Sequence, residues 1–577
     1  MKTKDIISQA LSKKISLIIY FIGTLIISAT LLVFCVLIVR TLVDDIFSTP
    51  VDEAPKLAFW IGAFAISLTL MIASGIVNKN LALTISSNVT AALSKAAYST
   101  SLRSEINEFE KVDNNEMVSK IINDSSYIGE VYIGKNWYLF LRNIVYLVAF
   151  FISMMIINPV LGLITYGSLP LFYMLIRSYD KFYQRIHAKA EGVNLERSRN
   201  ISEDLEKIRS IKLRNGIEQE EEKLQKLNEK FISSKRTHGM FLDIKENKLF
   251  DLLIGLLLTL ILGVGGYMST RGEHIPGTIV AIVIMIPMMY RMFNQLMYNN
   301  IYPSFIEVEL SSLEEILGIK SELKSEPINS LDEIRSLKFQ DVSYTSVDGS
   351  IEDVSFELKR GEKLGVLTLD SNNDKIIFEL LTKLVRPKEG VISVNNCDFN
   401  KINTLYLRSL ITAIPDDSEL FNDTIANNII YPLEFDEYKY NDALNKSGLK
   451  KLLGNYEDRD QTIINIDNPL SDEMKYRIIF ANAFYKDSKI FVLNETDSKL
   501  DPRSEEALIE EVFELKNKIT IILTDKNYNV VKCDKVLILG NGGVLEYGKV
   551  EDLLNDKAST LFSLIKKVKA TKSAKIS

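Results

Sequence analysis

The stretch SLIIYFIGTLIISATLLVFCVLIVRT, residues 16–41, contains a single charged side chain, Arg40. About 20 predominantly apolar residues are enough for an α-helix to cross a bilayer, so this stretch predicts a membrane-spanning helix. Basic residues precede it and acidic residues follow it: Lys2, Lys4, Lys13 and Lys14, then Asp44, Asp45, Asp52 and Glu53. The positive-inside rule therefore predicts that the N-terminus is cytoplasmic.

Five further stretches meet the same requirement, with approximate bounds 56–77, 136–158, 160–177, 249–268 and 276–298. Asn158-Pro159 separates the third from the fourth, and this dipeptide predicts a tight hairpin. Six spans return the chain to its starting side. We therefore expect an integral cytoplasmic membrane protein with both termini in the cytoplasm.

Two long polar stretches, roughly 78–135 and 178–248, lie between spans. Apolar residues recur in them at helical spacing, as at Leu205, Ile208 and Ile211. This pattern predicts helices that continue beyond the bilayer and pair as antiparallel hairpins. The alternative, two separate soluble inserts, would need more glycine, more proline or a strand pattern.

Composition separates the chain into two kinds of sequence. The 577 residues have a mean hydropathy of +0.07 although 25% of them are charged, which indicates an apolar half joined to a soluble half. The net charge of −7 does not favour a nucleic-acid partner. The three cysteines and the three histidines are widely spaced in sequence, so we predict no disulfide framework and no metal site.

The C-terminal half has the pattern of an α/β domain. LKFQDVSYTSVDGSIEDVSFELKRGEKLGVL, residues 337–367, alternates apolar and polar residues like antiparallel strands and then ends in a fully apolar strand. IFVLNETDSKLD, residues 490–501, predicts another buried strand that runs into a polar turn.

These features together resemble the exporters of the ABC transporter family. FEKVDNNEMVSKIINDSSYI (109–128) and ISEDLEKIRSIKLRNGIEQEEEKLQKLNEKF (201–231) are similar to the two cytoplasmic hairpins of such proteins. The matching positions are Phe109, Glu116, Ser119, Lys120 and Asp124 in the first, and Glu203, Leu205, Ile208, Lys212 and Glu218 in the second. The resemblance implies a short coupling helix at each hairpin tip, in the first hairpin near Asn115–Glu116.

The resemblance also implies the fold class and the domain order. We expect an α-helical membrane domain, with six spanning helices and long cytoplasmic extensions, followed by an α/β ATP-binding cassette domain that is P-loop NTPase-like. The predicted divisions are 1–320 for the membrane domain, 321–336 for a linker and 337–577 for the cassette.

The phosphate-binding loop of the cassette departs from the family pattern G-x-x-x-x-G-K-[ST]. In TLDSNNDKII (368–377), Asp374 stands at the lysine and Lys375 at the hydroxyl residue, with Thr368, Ser371 and Asn373 at the glycines. An alternative register, shifted by one, returns Lys375 to the lysine position but puts Ile376 at the hydroxyl position. A unit charge about 4 Å from another contributes roughly 4 kcal/mol at an effective dielectric near 20, so aspartate for lysine predicts a loss of several powers of ten in affinity.

Most other nucleotide positions that the resemblance implies are altered as well. Ser346 stands at the base-stacking aromatic, two residues from Tyr344; Asp416 at the bridging glutamine; Asp525 at the switch histidine; and Asn494 at the Mg²⁺ ligand. In LSDEMKYR (470–477), Ser471 of the signature motif is retained, whereas Asp472 and Glu473 replace its glycines. Glu495, at the general-base position, and the dimer-contact residues SKLD (498–501) are retained.

Two explanations account for this pattern: neutral decay of the gene, or retention of the cassette as a scaffold. Cassettes of this family work as head-to-tail pairs, so the resemblance implies a heterodimer with an ATP-competent second half-transporter. The predicted function is a subunit of an exporter for an unidentified substrate, whether peptide, lipid or hydrophobic compound, in contact with membrane lipid. We expect no cofactor bound tightly by this chain alone, and Mg-ATP only at a site shared with the partner. The alternative is an ATP-independent membrane receptor, immunity or regulatory protein.

Overall fold

The computed structural model describes residues 3–48, 54–271, 276–299, 303–323, 326–331, 333–346, 349–369, 373–416, 419–465, 470–495, 502–540 and 542–566. The chain divides into two compact units. The first comprises Met1–Ser99 and Asn114–Gly318, and the second comprises Thr100–Asp113 and Ile319–Ser577. The segment 100–113, which the sequence assigns to the membrane domain, thus belongs to the second unit.

The N-terminal half is helical. Its α-helices are α1 (Thr3–Ser12), α2 (Ile15–Ser48), α3 (Ala54–Ser101), α4 (Ile106–Phe109), α5 (Asn114–Ser119), α6 (Tyr138–Ile157), α7 (Pro159–Glu206), α8 (Ile208–Leu213), α9 (Ile217–Asp243), α10 (Leu249–Thr270), α11 (Pro276–Asn299) and α12 (Pro303–Leu317). π-Helical segments at Lys120–Asp124, Tyr127–Trp137 and Ile244–Lys248 keep the helical path continuous into α6 and α10.

Six helical runs in the described part of the chain are long and apolar enough to cross a membrane. They are Ile15–Asp44, Pro55–Ser101, Asn114–Ile157, Pro159–Glu206, Ile217–Thr270 and Pro276–Met297. The prediction of six spans is therefore confirmed. α3 and α7 have 48 residues each, about 72 Å at 1.5 Å per residue, which far exceeds a hydrocarbon core of about 30 Å. The polar stretches are thus helical extensions of the spans.

The hairpin between α6 and α7 forms where the sequence predicts it. Asn158 has an extended backbone, and its side chain accepts a hydrogen bond from the Leu161 amide at 3.1 Å. Pro159 occupies the first turn of α7, where its missing N–H costs no hydrogen bond. The cap and the proline together end one helix and start the next.

The second unit contains two sheets. Its strands are β1 (Ser336–Thr345), β2 (Ser350–Lys359), β3 (Lys363–Thr368), β4 (Glu389–Val394), β5 (Cys397–Asp398), β6 (Ile411–Ile414), β7 (Ile490–Asn494), β8 (Ile519–Leu523), β9 (Lys535–Gly540) and β10 (Gly543–Lys549). Its remaining α-helices are α13 (Asn373–Leu381), α14 (Thr404–Ser409), α15 (Ile425–Ile430), α16 (Glu437–Lys446), α17 (Leu449–Leu452), α18 (Asp472–Lys486), α19 (Pro502–Phe513), α20 (Asn527–Val530) and α21 (Val550–Asn555).

One sheet is antiparallel, in the order β2-β1-β4-β5, and the other is mostly parallel, in the order β10-β9-β3-β8-β7-β6. Every residue of β7 and β8 is buried. Strands of a parallel sheet that is covered on both faces are predominantly apolar, and Asn494 and Thr520 are the polar residues of these two strands. The antiparallel pairing of β1 with β2 and the buried strand β3 follow the pattern of 337–367.

Candidate nucleotide site

Four parallel strands bring the predicted nucleotide positions to one edge of the larger sheet. β3, β8, β7 and β6 are consecutive parallel neighbours. Asp374 lies in the helix after β3, Asn494 ends β7, Asp525 follows β8 and Asp416 follows β6. Ligands of open α/β sheets bind outside the carboxyl ends of the strands, so this edge is the candidate site.

The side chains of Asp374 and Asn494 are in direct contact at this edge. Asn494 Nδ2 donates a hydrogen bond to Asp374 Oδ2 at 3.1 Å, and the two residues are 3% and 7% exposed. Asp374 is in the first turn of α13, where the helix dipole favours a carboxylate. Asn494 is fixed by the buried strand that it ends. Two substitutions that the sequence presents separately therefore form one buried pair.

Lys375 lies on another face of the same helix. Its side chain is 47% exposed, and its Nζ is 4.0 Å from Glu379 Oε1, one turn along α13. Consecutive helical residues point about 100° apart, so Asp374 and Lys375 cannot both face the strand ends. The geometry places Asp374, and not Lys375, beside Asn494.

Glu495 is held by residues that the sequence analysis did not single out. Its Oε1 accepts hydrogen bonds from Thr524 Oγ1 at 2.8 Å and Asn529 Nδ2 at 2.7 Å. Its Oε2 is buried and has no hydrogen-bond partner in the described part of the chain. Burial raises the pKa of the carboxyl, although Thr524, Asn529 and the Lys526 ammonium oppose the shift. Thr524 follows an apolar strand at the same edge, which is a usable sequence signal; nothing in the sequence marks Asn529.

The retained serine of the signature motif caps a helix. Ser471 Oγ accepts a hydrogen bond from the Met474 amide at 3.3 Å at the N-terminus of α18. Asp472 is exposed and lies 3.8 Å from Lys475 Nζ. Glu473 forms a closer ion pair, 3.0 Å from Arg477 and one turn along the same helix.

That second ion pair is part of a small network. Glu473 Oε1 accepts from Arg477 Nε at 3.0 Å and from Ser504 Oγ at 3.1 Å. Both acidic side chains of the motif are partly exposed, 56% for Asp472 and 42% for Glu473, and Glu473 has the closer cation.

The base-stacking position offers no aromatic face. Ser346 lies just after β1, and its backbone N–H bonds to the Gly349 carbonyl at 2.9 Å. Tyr344 is 5% exposed, and its hydroxyl accepts a hydrogen bond from Asn107 Nδ2 at 2.8 Å. Asn107 belongs to α4, and its neighbour Ile106 packs against the core of the second unit. The coupling helix near Asn115–Glu116 stays a prediction, and Ile106–Phe109 is a second short helix of this region, packed in the second unit.

The other two predicted positions at this edge are Asp525 and Asp416. Asp525 is exposed, and the backbone carbonyl of Asp416 accepts from Tyr476 at 3.1 Å. Ser371 and the dimer-contact residues 498–501 lie outside the described residues.

These residues do not fit Mg-ATP in the manner of an intact cassette. A phosphate would meet the buried carboxylate of Asp374 where the family places a lysine. The Asn494 amide, which already donates to Asp374, is a neutral group where the family places an anionic metal ligand. Two like unit charges about 4 Å apart repel each other by roughly 4 kcal/mol at an effective dielectric near 20.

Comparison with known families agrees with the fold. The family "ABC transporter transmembrane region" matches residues 17–292, and the family "ABC transporter" matches residues 351–498. The two matches together span most of the chain. The protein therefore belongs to the ABC transporters, as an exporter-type half-transporter with a membrane domain and a cassette fused in one chain.

Relatives and a solved structure support this membership. A Rickettsia bellii protein named as a candidate export ATP-binding/permease protein is 24% identical over 505 residues, covering 84% of each chain. An ATP-dependent lipid A-core flippase of Desulfotalea psychrophila is 24% identical over 406 residues, covering 69% of this chain and 70% of the relative. The structure of a bacterial Atm1-family ABC exporter with ATP bound has a TM-score of 0.75 at 17% identity, covering 96% of this chain and 99% of that one.

Proposed function

We propose that this chain is the catalytically degenerate half of a heterodimeric ABC exporter whose second half binds and hydrolyses ATP. The observation that carries the proposal is the buried contact between Asp374 and Asn494. The contact gives the Asn494 amide and the Asp374 carboxylate a partner within this chain. In this proposal the cassette serves as a structural scaffold and does not need a bound nucleotide.

The signature helix supports the choice of a heterodimer. A homodimer would combine two altered phosphate loops, whereas an intact partner would bring its own loop to α18 of this chain. Helix N-termini attract anions through free backbone N–H groups and the helix dipole. Ser471 keeps that cap, and Glu473 is neutralised by Arg477. The exposed Asp472 still opposes a phosphate, so we expect weak ATP use at the shared site.

The membrane unit leaves apolar surface that a second half would cover. Only 6% of the apolar stretch of the second span is buried within the chain, against 50% for the last span. Lipid or the helices of another half-transporter must cover the rest. The proposed substrate is a peptide, a lipid or another hydrophobic compound.

Isothermal titration calorimetry tests the nucleotide part of this proposal. The purified chain should show no specific Mg-ATP binding at millimolar ligand, while the complex isolated from native membranes should bind ATP and contain a second half-transporter with an intact phosphate loop. Binding of Mg-ATP by the isolated chain with micromolar affinity would overturn the proposal that its nucleotide site is degenerate. Isolation as a homodimer, without a second half-transporter, would overturn the heterodimer.

The proposed orientation has both termini in the cytoplasm. Single cysteines at Ser48 and at Ser573, which lies outside the described residues, are labelled with a membrane-impermeant maleimide. Ser48→Cys should react in intact cells, and Ser573→Cys only after permeabilisation. The reverse pattern would invert the proposed topology.

The alternative function is an ATP-independent receptor, immunity or regulatory protein. The hydrogen bond between Asp374 and Asn494 is compatible with this alternative as well. The two functions differ in transport. Loss of substrate efflux on deletion, restored only when both halves are expressed, supports the exporter; a phenotype restored by this chain in the absence of any ATP-competent half supports the alternative.

A further inference from the structure

Two cations of the membrane unit lie against one aromatic ring. Lys79 Nζ, from α3, is 5.0 Å from the centroid of the Tyr138 ring, and the guanidinium carbon of Arg142 is 5.6 Å from it. Tyr138 and Arg142 are one turn apart on α6. Cation–π contacts of this kind hold both charges close to the ring.

In the described part of the chain, the hydrogen-bond acceptors of Lys79 and Arg142 are all neutral groups. Arg142 donates to Gln295 Oε1 at 3.0 Å and to Asn143 Oδ1 at 3.2 Å, and Lys79 donates to the Gly134 carbonyl at 3.4 Å. Neither cation forms an ion pair there. Two positive charges are therefore oriented by amides and a ring without being neutralised.

An apolar cavity of about 200 Å³ shares the Tyr138 ring as a wall. α1 and α2 contribute Leu11 and Phe21, α3 contributes Ile85, and Trp137 and Leu141 flank the tyrosine. Trp137 is 50% exposed, so the cavity lies at the surface of the unit. Its lining is almost wholly apolar and suits a hydrocarbon chain.

The sequence places this site at one membrane boundary. Lys79 follows the end of the apolar stretch 56–77, and Tyr138 and Arg142 lie at the start of the stretch 136–158. Tryptophan and tyrosine are enriched at headgroup level, and basic residues there attract anionic lipids. The hydrocarbon-sized cavity and the two uncompensated cations are thus adjacent at the depth of a lipid headgroup.

We propose that an anionic phospholipid docks here, with an acyl chain in the cavity and its phosphate on Lys79 and Arg142. Neither the cavity nor the cations depend on the nucleotide site. A basic residue near a membrane surface favours anionic lipid by a factor of about five, so two cations predict a preference of about 25-fold over a zwitterionic lipid.

Quenching of Trp137 fluorescence by brominated lipids measures this preference. The chain has two tryptophans, so Trp60→Phe leaves Trp137 as the reporter. The full-length chain is reconstituted with brominated phosphatidylglycerol or brominated phosphatidylcholine at a series of mole fractions. Half-maximal quenching by the phosphatidylglycerol should occur at a mole fraction at least tenfold lower. Equal quenching by the two lipids would overturn the proposal.

Charge-removing variants test the role of the cations. Lys79→Gln and Arg142→Gln should each reduce the preference about fivefold while leaving quenching by phosphatidylcholine unchanged, which shows that the cavity is intact. Lys248→Gln, at an exposed lysine just before the apolar stretch 249–268, is the matched control and should keep the full preference. A preference that survives in the Lys79→Gln, Arg142→Gln double variant would contradict the site.

A competition experiment separates a lipid from a free anion. Inorganic phosphate at millimolar concentration should not relieve quenching by phosphatidylglycerol if the acyl chain is part of the ligand. Complete relief by phosphate would mean that the site recognises the anion alone and would overturn the lipid proposal.

Discussion

The amide of Asn494 and the carboxylate of Asp374 form a buried hydrogen bond of 3.1 Å across the ends of a strand and a helix. The pair is complementary because one side chain is an amide that donates and the other is a carboxylate that accepts. An aspartate at 494 would set two carboxylates against each other, since neither can donate when ionised. We therefore expect the two departures from the family pattern to stabilise each other.

Exchange of the two side chains tests that complementarity. Asn494→Asp alone should lower the free energy of unfolding by about 2–4 kcal/mol, because one of two adjacent buried carboxyls must take up a proton. The double variant Asp374→Asn, Asn494→Asp restores an amide–carboxylate pair and should recover most of that loss. Thermal unfolding of the full chain in detergent measures both. Asp525→Asn, at an exposed aspartate of the same edge, should change stability by less than about 0.5 kcal/mol. A silent Asn494→Asp variant would mean that the contact contributes nothing.

Glu495 stands at the general-base position, and we expect that its substitution does not change biological activity. A general base needs a positioned water and a substrate within hydrogen-bond reach, and Asp374 and Asn494 disfavour the nucleotide that would supply them. Glu495→Gln should therefore leave biological activity unchanged in a complementation assay. If the folded, membrane-inserted variant loses activity, this chain takes part in hydrolysis after all.

The same substitution should alter how stability depends on pH. Burial raises the pKa of Glu495 in the folded chain, so the folded state binds this proton more tightly than the unfolded state does. Stability is then lost as pH rises from the ordinary carboxyl pKa of about 4.3 to the raised value. Glu495→Gln cannot titrate, so its stability relative to the unaltered chain should increase as pH rises above about 4.3. Unfolding profiles at several pH values check this. Glu514→Gln, at an exposed glutamate, should run parallel to the unaltered chain, and parallel behaviour of Glu495→Gln would refute the argument.

A buried ion pair fixes the segment that precedes the cassette. Lys383 Nζ is 2.9 Å from Glu326 Oε1, and the Thr404 amide donates to Glu326 Oε2 at 2.9 Å. The two charged side chains are only 3% and 4% exposed. Glu326→Gln would leave the Lys383 ammonium buried without a counter-ion, at a cost of about 3–5 kcal/mol in unfolding free energy.

The control for this prediction is the exposed pair of Glu333 with Arg360. Glu333→Gln removes the same charge from the same segment and should cost less than about 1 kcal/mol. Equal effects of the two variants in thermal unfolding would show that the burial of Glu326 does not matter.

The short helix Ile106–Phe109 is where we expect coupling to the cassette. Ile106 packs against the core of the second unit, and Asn107 donates to the Tyr344 hydroxyl. Ile106→Asp should abolish activity in complementation because it would place an unpaired charge, partly buried, against that core. Glu116→Gln should have little effect, since Glu116 is a surface partner of Lys120. The opposite ranking of the two variants would return the coupling position to Asn115–Glu116.

The sequence alone determined the features that depend on local pattern. Apolar runs of bilayer length predict spans because no other structure satisfies the backbone in hydrocarbon, and all six were found. The Asn158-Pro159 hairpin and the strands of 337–367 also follow from the residues of one short stretch of sequence. The departures at the cassette motif positions stay predictions, made because each position lies at a known distance from an element that the sequence identifies.

Only the tertiary structure decided which of these residues meet. Asp374 and Asn494 are 120 residues apart, and their contact exists because β3 and β7 are near neighbours in a parallel sheet. His187 and His238, far apart in sequence, lie 3.1 Å apart between Nδ1 and Nε2 because α7 and α9 pack side by side. Lys79 and Arg142 meet at Tyr138 for the same kind of reason. Side-chain periodicity specifies which face of a helix or strand is buried, whereas the partner on that face is set by packing between distant elements, which no local pattern records.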